Sequence, residues 1–152
     1  MSLVNMYSFY DEIEKMAAKA NQQCPFATYN IERNTKNRNA TRENHMYGPL
    51  NPKEPGDYWK RLAKKWKASE KAAKKSTCGN CVAFDISPRM KECMPGEVSD
   101  NNAGELGYCW MHHFKCASLR SCDTWAVGGP INEDKTSLGW QAKSNASKPA
   151  SN

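Results

Sequence analysis

The chain has 152 residues, enough for one domain with arms, and 39% of them are hydrophobic. With a mean hydropathy of −0.85, a large oily core is excluded, no stretch approaches a membrane span, and a small core reinforced by cross-links or metal is expected. The net charge of +6 permits an anionic partner without requiring one.

The first expected element is a helix over 6–22, where Met6, Phe9, Ile13, Met16 and Ala20 recur at three- and four-residue spacing. Gln23-Cys24-Pro25 ends it, and Cys24, remote from the other thiols, reads as free. Residues 28–53 show no periodicity. Asn30, Asn34, Asn37, Asn39 and Asn44 alternate with basic residues there, which predicts an extended arm or irregular loop.

A second amphipathic helix is expected from Asp57, its N-cap, to about residue 75. Trp59, Leu62, Ala63, Trp66 and Ala73 mark its apolar face, and lysines cover the rest. That face should pack on the segment that follows. Residues 78–131 are broken by Gly and Pro and hold six of the seven cysteines. Residues 132–152 read as a polar tail. The domain organisation expected is therefore 1–53 (helix and Asn-rich arm), 54–131 (basic helix and cysteine module) and 132–152 (tail). The fold class expected is a small α-dominated, loop-rich metal-thiolate module, two helices flanking a Cys-rich core with extended arms.

The cysteines follow the spacing C-x2-C-x11-C-x15-C-x6-C-x5-C, from Cys78 to Cys122. A C-x2-C pair lets two thiolates converge on one centre from a tight turn, and Gly79-Asn80 suits that turn. Buried thiolates suit zinc or an iron–sulfur cluster. Cys78-x2-Cys81 with Cys109-x2-His112 is a two-knuckle zinc pattern that leaves Cys93 out. Cys116 and Cys122 are spaced so that a disulfide between them is allowed, and a wholly disulfide-bonded module remains open. Met1–Tyr10 lacks a basic stretch followed by an apolar run, so export is not expected and metal ligation is favoured over structural disulfides. A cytoplasmic or within-virion location is expected.

The run Cys78-x-x-Cys81-x-x-Phe84, then Cys93-Met-Pro95-Gly96, then Gly107-Tyr108-Cys109-Trp110 resembles the high-potential iron–sulfur proteins over about residues 78–110. The resemblance implies a [4Fe–4S] cubane held by Cys78, Cys81, Cys93 and Cys109, with Phe84, Tyr108 and Trp110 excluding water. It implies one-electron transfer, or a cluster that only stabilises the fold. The chain also has a looser similarity to small proteins of marine tailed phages. The competing reading is a structural protein, a virion component held by zinc or disulfides, whose arms and basic helix engage a protein partner or assembly. Nucleic acid is permitted by the basic helix but not favoured, because its tryptophans lie on the apolar face. No membrane partner is expected. No catalytic constellation accompanies the Cys and His residues, so the chain is not expected to be an enzyme.

Overall fold

A computed structural model describes residues 24–96, 99–100 and 102–147. The helix expected over 6–22 lies outside them. Six α-helices are described: α1 (Phe26–Tyr29), α2 (Ile31–His45), α3 (Tyr58–Trp66), α4 (Glu70–Lys75), α5 (Pro88–Cys93) and α6 (Asp134–Ser147). They surround a small antiparallel sheet of β1 (Phe84–Asp85), β2 (Ser99–Asp100), β3 (Gly104–Cys109) and β4 (Phe114–Ala117). β3 is central. β1 and β2 pair along one edge of it and β4 along the other. The α-dominated class is as expected. No helix among the described residues is long and apolar enough to cross a membrane.

The register decides what each sheet face carries. Phe84 pairs with Cys109, Gly107 with Cys116, and Cys109 with Phe114. Side chains alternate along a strand, so Phe84, Cys109, Phe114 and Cys116 share one face. Asp85 pairs with Tyr108 and faces the other way. Gly107 leaves room for the Phe84 ring: a Cβ there would lie 2.6 Å from it.

The Asn-rich segment corrects one expectation. Residues 31–45 are a helix, not an arm. Asn30 caps it, accepting from the Arg33 N–H at 2.9 Å. Asn34 accepts from the Lys115 N–H at 2.8 Å, and Asn37 donates to the His113 carbonyl at 2.7 Å. The Tyr47 hydroxyl accepts from the Ala117 N–H at 2.9 Å. These three side chains satisfy backbone groups of β4 and its approach that a neighbouring strand would otherwise pair with. The helix docks through amides rather than an apolar stripe, which is why periodicity did not mark it.

The basic helix is split. α3 ends at Lys67 in the left-handed conformation, and α4 restarts behind Ser69, whose hydroxyl accepts from the Ala72 N–H. Asp57 makes no capping bond and instead meets Arg61, with Nε to Oδ1 at 3.1 Å. Trp59, Leu62, Ala63 and Ala73 are buried, as the apolar pattern predicts, Trp66 is partly buried, and Tyr58, outside that pattern, is buried with them. Trp66 Nε1 donates to the Asp123 carbonyl at 2.9 Å and Tyr58 OH to that of Ser121 at 3.1 Å, so this face does pack on the cysteine module.

The expected tail contains α6, which is docked over at least part of its length. Ser137 and Gln141 are buried against Arg89, itself 2% exposed. Arg89 donates to Ser137 Oγ and Gln141 Oε1, while Asp85 Oδ2 accepts from Ser137 and, at 2.9 Å, from Trp110 Nε1. Polar docking again leaves no hydrophobic signature.

Candidate metal centre

Cys78, Cys81, Cys109, Cys116 and Cys122 all line one small cavity of about 20 Å³, closed by Phe84, Met111 and Trp125. All five are buried and unbonded to one another. Cys78 opens a 3-10 turn, Cys78–Asn80, and its N–H donates to the Arg120 carbonyl at 2.6 Å. Gly79 lies close to the end of β4, where a Cβ would be 3.1 Å from the Ser118 carbonyl. Cys81 ends the turn, its N–H donating to the Cys78 carbonyl at 2.9 Å. Gly129 crosses directly beneath it: a Cβ at Gly129 would sit 1.7 Å from the Cys81 carbonyl oxygen, so no larger residue fits. Cys109 and Cys116 come from adjacent strands on one sheet face. Cys122 sits in a loop pinned at several points. The Ser121 N–H donates to Gly48 at 2.7 Å and the Asp123 N–H to His45 at 2.8 Å.

The His112 N–H donates to Cys109 Sγ at 3.4 Å, and Thr124 Oγ1 lies 3.2 Å from Cys122 Sγ. Such donors favour the thiolate and tune a bound metal. Burial nevertheless raises Cys81, and pushes Cys122 up to about 12. Cys109 goes the other way. A hydrogen bond with Cys116 is the largest influence, outweighs burial, and holds it below the usual thiol range. Burial, with hydrogen bonds to Cys109 and Cys78, pushes Cys116 well up.

Several sequence expectations are redrawn here. Cys93, placed with Cys78, Cys81 and Cys109 in the cubane set, instead forms a disulfide with Cys24, with Cα atoms 5.4 Å apart. Cys93 ends α5, which Arg89 ties to α6, and its sulfur meets Cys24 rather than the cavity. Cys24 is accordingly not a free thiol. Cys116 and Cys122, spaced for a disulfide, both stay free and join the cavity. His112, the fourth member of the alternative zinc set, stacks on His45 at 4.5 Å and meets Thr124 Oγ1 at 2.7 Å; it does not line the cavity. Burial, then the neighbouring His45, lowers its pKa to about 4. Of the aromatic shell, Phe84 lines the cavity, and Tyr108 and Trp110 do not. Met111 and Trp125 take those places. Trp125 is oriented by Nε1 bonds to the Thr77 carbonyl (2.9 Å) and Asn80 Oδ1 (2.8 Å). Arg120 and Asp123, which flank Cys122 closely in sequence, take separate partners. Arg120 donates to the Pro49 and Leu50 carbonyls, and Asp123 meets His45 and Lys65.

Among the described residues, no group of three or more His, Cys, Asp or Glu side chains stands in metal-holding geometry. The five thiols share a cavity without being gathered on a single point. Comparison of the chain with family models, curated proteins and solved structures gave no match.

Proposed function

We propose that this protein carries a thiolate-ligated metal centre, a [4Fe–4S] cluster held by Cys78, Cys81, Cys109 and Cys122. The observation behind this reading is the convergence of five buried thiols on one cavity, with the His112 N–H directed at Cys109 Sγ. The donor set fits the group in kind: thiolates only, enclosed by Phe84, Met111 and Trp125, with imidazole turned away. Cys122 takes the place that the sequence pattern assigned to Cys93. Cys116 lines the same cavity as a fifth thiol outside the ligand set, its pKa raised by burial. When bound, such a cluster supplies one-electron transfer, and the chain's own residues position its ligands and exclude water.

One observation favours a second reading. A cavity of about 20 Å³ matches a single small ion better than a cubane, and four thiolates are a structural zinc set. Zinc held by Cys78, Cys81, Cys109 and Cys122 would serve folding alone.

Anaerobic purification followed by metal and acid-labile sulfide analysis tests both. The cluster reading expects brown protein with iron and sulfide, lost on Cys122→Ser and retained on Cys93→Ser. Colourless protein with one zinc per chain establishes the second reading. Metal-free protein with all five thiols open to alkylation after unfolding overturns both.

A further inference from the structure

A second site lies away from the thiols. α2, the Met46–Leu50 segment and α3 enclose a solvent-open cleft of about 600 Å³, within the size range of small-molecule sites. It adjoins a smaller hollow of about 230 Å³, and the two share Arg42, Tyr47, Gly48 and Leu50. Arg38 and Arg42 stand one helical turn apart, on the same face of α2. Arg61 approaches from α3 and Arg120 from the loop after β4. Arg120 is held over the Tyr47 ring at 5.9 Å, with its guanidinium on the Pro49 and Leu50 carbonyls. Four guanidiniums therefore meet one lining carboxylate, Glu43, and Asp57 is engaged by Arg61. Among the described residues, Arg38 and Arg42 have no ion pair. Met46, Pro49 and Leu50 give the cleft an apolar stretch beside Asn39 and Tyr58, and Leu50 is 70% exposed.

Guanidinium forks match phosphate oxygens in geometry as well as charge, and an apolar wall beside them needs a ligand with a non-polar part. We propose that this cleft binds a phosphate-bearing small molecule of nucleotide type, its phosphates on Arg38 and Arg42 and its ring system on Met46, Pro49 and Leu50. The site is independent of the thiol cavity, so its test does not depend on metal content.

Isothermal titration calorimetry on the full chain at physiological salt, with ADP, pyrophosphate and a single-stranded oligonucleotide, decides this. ADP should bind, pyrophosphate more weakly, and Arg42→Gln should weaken ADP by about tenfold, the value of one charge-assisted hydrogen bond. Arg38 and Arg42 are exposed, so the variants should fold, which circular dichroism verifies. Pyrophosphate binding as tightly as ADP would overturn the apolar subsite. Binding of the oligonucleotide alone would replace the proposal with a nucleic-acid surface. No binding by any ligand, or ADP binding unchanged in Arg42→Gln, would leave a solvated basic face.

Discussion

The two faces of one small sheet carry opposite chemistry. On one, Cys109 and Cys116 join three loop thiols around a cavity whose walls otherwise offer only Phe84, Met111 and Trp125. On the other, Asp85 sits in a hydrogen-bonded network. Its carboxylate accepts from Trp110, Ser137 and the Ser87 N–H, and Arg89 extends the network to Gln141. A network whose groups answer one another has little left to offer a ligand, and its role is to hold the fold. Thiols gathered around a space make weak bonds to one another and keep their coordinating capacity. The contrast gives one face a hydrogen-bonded network and leaves five free thiols about the other.

The largest expected effect tests the structural face. Asp85→Ala leaves Trp110 Nε1, the Ser137 hydroxyl and the Ser87 N–H without their acceptor and removes a nearby charge that favours the buried Arg89 cation. The loss should be about 3–5 kcal/mol, from buried donors stranded at about 1–3 kcal/mol each, read by denaturant unfolding. A loss below about 1 kcal/mol would break the distinction between the faces. Next comes the Cys24–Cys93 disulfide, which closes a separation of 69 residues. Replacing both by Ser should cost about 2–4 kcal/mol and leave metal content per folded molecule unchanged. Metal loss in that variant would return Cys93 to the ligand set.

Alkaline pH should weaken both faces together. Burial is the largest cause raising Tyr47, Tyr58 and Tyr108 above their ordinary value of 10.0. Their folded pKa values exceed the unfolded ones, so their contribution is intact below pH 10 and is lost as pH rises further. Tyrosinate absorbance should show these residues ionising only with unfolding. Early ionisation of all six tyrosines in folded protein would contradict the packing. The smallest expected effect is at the sheet edge. Asn34→Ala and Asn37→Ala should each cost about 1 kcal/mol, with faster amide exchange at Lys115 for Asn34→Ala as the site-specific readout.

Legibility in the sequence followed the type of force. Trp59, Leu62, Ala63 and Ala73 were readable because burial imposes helical periodicity, and all four are buried. The breaks in that helix and the docking of α2 and α6 were not. Asn34, Asn37, Ser137 and Gln141 act through hydrogen bonds to partners 48 to 81 residues away, and polar side chains bonding at that range leave no local pattern. Cys78, Cys81 and Cys109 were legible as a group from their spacing. Cys116 was the residue most open to earlier recognition: Gly107-Tyr-Cys109 and Phe114-Lys-Cys116 read as a hairpin that places both thiols on one face.

The sequence by itself determined that cysteines would crowd residues 78–131 beside a modest apolar core, because spacing and composition are local properties. Only the tertiary structure decided how those thiols are divided. It sends Cys93 to Cys24 and gathers Cys116 and Cys122 with the other three. Strand register and the path of α5 set that division, and both depend on contacts between residues far apart in the chain.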